Sequence, residues 1–215
     1  MLLKENGLKK LRANKKRFIY LISPNKITKG FYSDLKVVLS SNLVSFFQLR
    51  LKQYSLIERK KIGIKIKKIC KKYKVKLIIN DDPKLAKEIS ADGCHLGQSD
   101  MNIRRARKIL RKKIIGITCH NSKKLIKRAV KDGANYIAIG AFFKSNTKKI
   151  NYIAKPGLIS WVKRFTKIPV VIIGGITNKN FRKLLLHKPD FLAISGGIWD
   201  KKPVKAIKNF YENKR

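Results

Sequence analysis

The chain has 215 residues, of which 53 are Lys or Arg and only 12 are Asp or Glu, so its formal net charge is +41. Hydrophobic residues make up 44% of the chain, a fraction that suits a folded globular protein and excludes wholesale disorder. No apolar run approaches the roughly 20 residues that cross a bilayer, and the first residues lack the apolar centre of a signal peptide, so we expect no membrane segment. The three cysteines lack metal-type spacing, which predicts reduced thiols in a cytoplasmic protein.

The positive charge permits an anionic partner such as nucleic acid or a phosphorylated metabolite. The lysines are spread over almost every segment and few aromatic residues lie among them, whereas single-strand binders combine basic grooves with aromatic stacking platforms. The abundance of Lys, Ile and Asn together indicates compositional drift in an A+T-rich genome. We therefore expect any contact with nucleic acid to be non-specific and sensitive to salt.

After a basic lead-in over residues 1–16, short apolar runs alternate with amphipathic stretches over residues 17–215. In chain order, the pattern predicts a strand at 17–23, a helix at 31–39, a strand at 45–50, a helix at 55–73, a strand at 75–81, a helix beginning at 82–83, a strand around 94–96, a helix at 102–110, a strand at 114–118, a helix at 122–132, a strand at 136–140, a helix at 157–165, a strand at 169–173, a helix at 180–186, a strand at 191–194 and a helix at 202–213. Regular alternation of this kind requires parallel strands covered by helices. An open doubly wound sheet also fits the alternation, but about eight strands and the positions of the glycines favour a single (β/α)8 TIM barrel of the α/β class.

Two of the scarce acidic residues, Asp81 and Asp100, each end a short apolar run. Polar groups in that position present chemistry at the strand ends of a barrel or an open sheet. Two carboxylates held there in a very basic protein predict a site for a hard cation, Mg²⁺, that bridges to phosphate oxygens. The alternative is that both residues cap helices, because Asp is favoured at the N-cap position.

Another strand end carries polar side chains at alternate positions, namely Gln48, Arg50 and Lys52. Side-chain direction in a strand repeats every two residues, so these groups are expected on one face. Arg50 can clamp a pyrophosphate with bidentate hydrogen bonds, and Lys52 can act on it as a point charge. For Lys52 the alternative of a solvated residue in a basic protein stays open, and it is weaker for Arg50, which follows an apolar run.

Glycine-rich strand ends follow late in the chain, at 173–177 and 194–198. In TIM barrels the loops after the seventh and eighth strands often bind phosphate through backbone N–H groups, so we predict a phosphate site there. Tight strand-to-helix turns, which also use glycine, are the alternative. Residues 144–155 are predicted to form a long loop, whose segment 144–149 offers hydroxyls and cations that suit phosphate.

Thr118 ends its strand and His120 follows it closely, but a lone histidine is more often a surface residue than a catalyst. His95 lies within a strand and is expected in the core. His187 lies near the end of a helix and receives no predicted role.

Taken together, these motifs resemble those of the thiamine-phosphate synthase (thiamine-phosphate pyrophosphorylase) family over about residues 18–198. The matching positions are Gln48, Arg50 and Lys52 for a Q-x-R-x-K strand end, Asn80 and Asp81 for N-D, 95–100 for H-L-G-Q-x-D, Ser145, Asn146, Thr147 and Lys148 for a T-x-T-K loop, 173–176 for I-G-G-I, and Ile194 and Ser195 for the last phosphate turn.

The resemblance implies a (β/α)8 transferase that joins hydroxymethylpyrimidine diphosphate to a thiazole phosphate and releases pyrophosphate, with Mg²⁺ as cofactor. It also implies roles for individual residues: Asp81 and Asp100 as ligands of Mg²⁺, Arg50, Lys52, Asn80 and Lys148 around the pyrophosphate, Gln48 near the pyrimidine, Thr118 near the reacting centre, and Ser145, Thr147, Gly175, Ile194 and Ser195, with Asn146 in the same loop, around the thiazole phosphate.

Some positions depart from the family pattern. Thr118 stands where Ser is common and Ser145 replaces a Thr, and both exchanges keep the hydroxyl. Asn146 replaces a Pro and is expected to affect turnover rather than substrate identity. Asp82 stands where a basic residue is frequent, and the glycine pair at 196–197 is unusual after the last strand.

Two alternative functions remain open at this level. A TenI-like thiazole tautomerase or regulatory paralogue would share the fold, and His120 is the residue on which it would depend. Those proteins generally lack the full metal and pyrophosphate set, which is complete here, so we favour the synthase. A basic nucleic-acid-binding protein built on a TIM barrel is disfavoured by the even spread of charge.

Overall fold

Within residues 17–144 and 152–212, which the computed structural model describes, eight parallel strands close into one barrel, each paired with the next and the last with the first. The strands are β1 (Ile19–Ile22), β2 (Val44–Leu49), β3 (Lys76–Asn80), β4 (Gly93–Leu96), β5 (Ile114–His120), β6 (Tyr136–Gly140), β7 (Val170–Ile173) and β8 (Phe191–Ile194). The predicted (β/α)8 barrel is thus confirmed, and each strand lies where the sequence pattern placed it. The predicted lead-in at 1–16 and residues 145–151 lie outside the described residues.

The described part of the chain contains nine helices, of which the first seven connect successive strands and the last two follow β8. They are α1 (Phe31–Ser40), α2 (Leu56–Lys72), α3 (Pro83–Glu88), α4 (Ile103–Leu110), α5 (Lys123–Lys131), α6 (Gly157–Phe165), α7 (Arg182–Leu185), α8 (Gly196–Trp199) and α9 (Pro203–Glu212). Helix α7 is shorter than predicted, and the single turn of α8 was not predicted, because its two glycines are poor helix formers.

Helix starts follow from local side-chain chemistry. Ser55 caps α2 in a reciprocal capping box with Glu58. Asp82 caps α3 by accepting a hydrogen bond from the backbone of Leu85, and Asn102 caps α4 in the same way. Because Asp82 and Asn102 cap these helices, the capping alternative proposed for Asp81 and Asp100 is wrong.

Strand alternation divides the buried apolar side chains into two clusters. The larger one lies between the strands and the helices. The smaller one fills the barrel interior and contains large side chains such as Tyr20, Phe46, Tyr136 and Phe191. The barrel is therefore packed along its axis, and ligands can approach only at its ends.

The three cysteines are free and buried, and burial raises the pKa of each thiol, that of Cys119 to about 12. Thiols of this kind are unreactive.

Among the described helices, none combines the length and apolar character needed to cross a membrane.

Candidate active site

A cavity of about 470 Å³ opens at the carboxyl ends of the strands. In TIM barrels this end carries the active site, because the loops that follow the strands converge there. The sequence-predicted residues that line it come from five strand ends: Gln48, Arg50, Lys52, Asn80, Asp81, Asp100, Thr118 and Ser195. Barrel closure therefore brings together polar groups that are up to about 150 residues apart in the chain.

Other predicted site residues lie elsewhere. The side chain of Ile194 is buried in the cluster between strands and helices, and Ser195 lines the cavity in its place. Gly174 lines the cavity rather than Gly175. Gly175 has φ +59°, and a Cβ there would lie 2.1 Å from the carbonyl oxygen of Lys144, so only glycine fits this turn. Residues 145–148, predicted to bind phosphate, lie outside the described part.

Asp81 and Asp100 form a carboxylate pair at the ends of β3 and β4. Asp81 has φ +62°, a left-handed conformation that Asp tolerates and that is enriched at functional sites. Asp100 accepts a hydrogen bond of 2.7 Å from the backbone N–H of Gly97. The pKa of Asp100 is raised, first because partial burial disfavours the charged carboxylate and then because Asp81 lies beside it.

One cationic side chain lies beside this pair, and a second one lines the same cavity. The Nζ atom of Lys52 is 3.2 Å from Oδ2 of Asp81, and it opposes the rise in the pKa of Asp100. Arg50 donates to Oδ1 of Asn25 over 3.3 Å. Both side chains follow β2, as the alternate positions in the sequence predicted, and both line the cavity.

Sequence reasoning missed Ser23, which joins three strand ends. Its backbone N–H donates to the backbone carbonyl oxygen of Gln48. Its hydroxyl lies within hydrogen-bond distance of both the backbone N–H and the backbone carbonyl of Arg50. Ser195 donates to the carbonyl oxygen of Ser23 over 3.2 Å. Ser23 is the last residue of the first predicted strand, directly before a proline, and this position at a strand end was the only available signal.

The barrel interior beneath the cavity also holds a chain of buried polar side chains. Gln48 Nε2 lies 3.0 Å from the Tyr20 hydroxyl, which lies 2.7 Å from that of Tyr136. Nδ1 of His95 is 2.9 Å from the Tyr136 hydroxyl, and its Nε2 is 2.8 Å from Oγ1 of Thr118. His95 is buried, as predicted, but its contacts with Thr118 and Tyr136 were not foreseen.

Burial determines the charge states of the titratable side chains in this hydrogen-bonded series. It lowers the pKa of His95 to about 4, so the imidazole is neutral at pH 7. It also raises the pKa of Tyr20 and Tyr136, which therefore keep their hydroxyl protons.

An aromatic rim lies on the other side of the cavity. The rings of His120 and Tyr152 have their centroids 5.0 Å apart, and both residues line the cavity. His120 has φ +50° at the end of β5, where the pairing with β6 changes register. The amide of Gln98 donates to the carbonyl oxygen of Thr118 and so holds this strand end against the loop after β4.

A (β/α)8 barrel with a polar, partly charged cavity at the carboxyl ends of its strands defines a TIM-barrel enzyme. Residues 19–198 match the thiamine monophosphate synthase family. Since that match covers most of the sequence, the chain belongs to this family.

Individual relatives agree with the family match. The chain is 56% identical over 201 residues to the thiamine-phosphate synthase of Pelagibacter ubique, an alignment that covers 93% of this chain and 97% of the relative. It is 39% identical to the thiamine-phosphate synthase of Erythrobacter litoralis, with 90% and 93% covered. The solved thiamine phosphate pyrophosphorylase from Pyrococcus furiosus superimposes with a TM-score of 0.82 at 26% identity, over 93% of this chain and 96% of that one.

Proposed function

We propose that the protein is a transferase that makes thiamine phosphate from hydroxymethylpyrimidine diphosphate and a thiazole phosphate. The bond between the pyrimidine methylene carbon and the diphosphate oxygen breaks, the thiazole nitrogen bonds to that carbon, and pyrophosphate leaves. The observation that carries the proposal is the facing pair Asp81 and Asp100 with Lys52 beside it at the mouth of the barrel.

The main barrier in this reaction is charge separation. A cationic methylene carbon parts from a diphosphate, so groups aimed at the departing oxygens lower the barrier. Arg50 and Lys52 line the cavity, Lys52 beside Asp81, and are suited to hold the leaving group together with Asn80. Lys148 is proposed for the same role from the family motif. No protein nucleophile is required.

The residues present fit a magnesium ion. Asp81 lies beside Asp100 and raises the pKa of that carboxyl, an arrangement that favours a divalent cation, and carboxylate oxygen is the ligand that Mg²⁺ prefers. Among residues 17–144 and 152–212, no cluster of three or more His, Cys, Asp or Glu side chains occurs. Asp81 and Asp100 would therefore hold the ion with water and diphosphate oxygens as further ligands. When bound, Mg²⁺ supplies positive charge to the departing pyrophosphate.

The remaining residues are proposed to hold the two organic groups. Gln48 lies deeper in the barrel than the carboxylates, where an apolar wall suits a pyrimidine ring. Thr118, which lines the cavity, is proposed to act near the reacting centre. Ser195 and the turns at Gly175 and Ile194 are proposed to bind the thiazole phosphate, together with Ser145, Asn146 and Thr147. Holding both substrates in attack geometry converts a bimolecular reaction into a nearly unimolecular one.

A direct assay tests the proposal. The protein is incubated with both substrates and Mg²⁺, and thiamine phosphate and pyrophosphate are measured. We expect equal amounts of the two products, no turnover with either substrate omitted, and loss of turnover with a chelator. Asp81→Asn and Asp100→Asn serve as site controls. Absence of thiamine phosphate under these conditions would overturn the proposal.

A cytoplasmic localisation is proposed alongside it, supported by the free, buried thiols.

A further inference from the structure

Three buried residues that the proposed reaction does not use connect two that it does. Tyr20, Tyr136 and His95 link Gln48 to Thr118 through four successive hydrogen-bond contacts of 2.7–3.0 Å. Gln48 lies on β2 and Thr118 on β5, and these strands are not neighbours in the barrel. The chain is therefore a physical connection between two distant sides of the cavity.

The direction of this chain follows from counting protons. The amide nitrogen of Gln48 can only donate, so the hydroxyl of Tyr20 accepts from it and directs its own proton to Tyr136. Tyr136 then donates to Nδ1 of His95. A neutral imidazole that accepts at Nδ1 carries its proton at Nε2, which donates to Thr118.

The two ends of this hydrogen-bonded series therefore present opposite groups to a ligand, an acceptor at one end and a donor at the other. Gln48 keeps its carbonyl oxygen as an acceptor for a ligand, and Thr118, which accepts from His95, keeps its own proton for donation. Reversing the chain would require the Gln48 amide to rotate and present N–H groups to the ligand. The state of Gln48 and the direction of the Thr118 proton are thus coupled.

Packing holds the chain in this geometry. His95, Gly116 and Tyr136 pair laterally across β4, β5 and β6. A Cβ at Gly116 would lie 1.9 Å from the ring of Tyr136, so glycine lets this ring lie across β5 towards His95. The rings of His95 and Tyr136 stack at 5.6 Å with an interplanar angle of 18°. On the other side, Tyr20 stacks on Phe46 at 5.4 Å.

Stability alone does not require such a chain. Burying the four polar side chains of Gln48, Tyr20, Tyr136 and His95 costs free energy that their mutual hydrogen bonds only offset, whereas apolar side chains would fill the same layer without that cost. The neighbouring interior positions are apolar, as Ile78, Ala138 and Val171 illustrate. What a fully satisfied polar chain adds is a fixed orientation of the groups at its ends.

We propose that Tyr20, Tyr136 and His95 are positioning residues that couple recognition of the pyrimidine at Gln48 to the orientation of the Thr118 hydroxyl at the reacting centre. This inference rests on the function proposed above. A ring that offers an amino group to the carbonyl oxygen of Gln48 preserves this hydrogen-bonded series, whereas a ring with a carbonyl oxygen in that place requires its reversal. Discrimination between amino and oxo rings is therefore expected to depend on the three positioning residues.

Non-additivity of substitutions tests the coupling. Thr118→Val is measured in the wild-type protein and in Tyr136→Phe, with kcat determined separately from KM. We expect Thr118→Val to lower kcat on the order of 10²-fold in the wild type. In Tyr136→Phe, where the hydroxyl is no longer oriented, the same change is expected to cost less than about threefold. Thr118→Ser keeps the hydroxyl and should retain most of the activity.

Discrimination between substrates provides a second measurement on an independent variant. The ratio of kcat/KM for the amino substrate to that for its oxo analogue should fall at least about tenfold in Tyr20→Phe, because the Gln48 amide is then free to rotate. Tyr73→Phe removes a tyrosine hydroxyl near the opposite end of the barrel and should leave the ratio unchanged.

The outcomes separate this inference from the proposed function. A wild-type protein that forms no thiamine phosphate overturns the function and the inference with it. An active wild type in which Thr118→Val and Tyr136→Phe are additive, and in which Tyr20→Phe keeps the substrate ratio, overturns the inference alone.

Discussion

The Nζ atom of Lys52 lies 3.2 Å from Oδ2 of Asp81, and Asp81 in turn lies beside Asp100. Three charged groups from two consecutive strand ends and the loop after β4 thus meet at the mouth of the barrel. The side chain of Lys52 is 59% exposed, so its ion pair with Asp81 contributes little to stability. Its effect is electrostatic: the ammonium group limits the repulsion between the two carboxylates.

Asp100→Asn should lower the activity and raise the stability of the protein. The pKa of Asp100 is raised in the folded protein, so folding favours its protonated form, and stability is lost as the pH rises through the titration of this group. Asn removes that cost and can still accept from Gly97. We expect a higher Tm at pH 8 without added metal and a loss of at least about 10²-fold in pyrophosphate release with Mg²⁺. Asp34→Asn, at the start of α1, is the control and should keep activity. Full activity in Asp100→Asn would exclude the metal role.

Lys52→Met should shift the pH dependence of the reaction. Lys52 lowers the pKa of Asp100, so its removal leaves that carboxyl protonated up to a higher pH. The rate at pH 6 should therefore fall more than the rate at pH 8, relative to the wild type. Lys36→Met, exposed on α1, should change neither rate. Equal losses at both pH values would contradict the assigned electrostatic role.

Arg50→Ala should weaken use of the diphosphate substrate more than binding of the thiazole phosphate. A bidentate guanidinium contact with phosphate oxygens is lost, and Arg50→Lys should restore it only partly. Calorimetry with each substrate separately measures the two affinities. Arg104→Ala, at an exposed ion pair on α4, is the matched control. A larger effect on the thiazole phosphate would place Arg50 at the other substrate.

His95 should make the fold sensitive to acid. Its pKa is lowered from 6.5 to about 4 by burial, so the unfolded chain binds a proton at a pH where the folded protein does not. The contribution of neutral His95 to the free energy of unfolding is therefore fully present above pH 6.5. It falls by about 3 kcal/mol as the pH decreases towards 4. Urea unfolding between pH 7 and pH 4 measures this loss. The loss should be smaller in His95→Gln and unchanged in His187→Gln.

Nucleic acid should bind weakly and only at low salt. A net charge of +41 attracts polyanions, but counterion release makes such binding fall steeply with ionic strength. A gel-shift titration should show binding at 20 mM salt that is lost by about 200 mM and that does not depend on sequence. Sequence-selective binding that persists at 200 mM salt would indicate a dedicated nucleic-acid surface.

Much of the site could be predicted because its signals are local. Asp81 and Asp100 stood out as rare acids at the ends of apolar runs, and Gln48, Arg50 and Lys52 stood out by their alternate spacing. The structure places all five around one cavity. The sequence placed the start of the helix at 82–83 but left open a capping role for Asp81, because Asp81 and Asp82 are adjacent and both suit it. The side chain of Asp82 accepts the hydrogen bond from the backbone N–H of Leu85, so Asp82 is the cap.

The sequence by itself determined the order of strands and helices, because their alternation and the two-residue period of strands are properties of short segments, and the count of about eight strands favoured a barrel over an open sheet. It also determined which polar residues stand at strand ends. Only the tertiary structure decided that Tyr20 and Tyr136, 116 residues apart, share a hydrogen bond, and that Gly116 leaves room for Tyr136 to reach His95. Such contacts depend on the register between strands and on the curvature of the closed sheet, which no local pattern encodes.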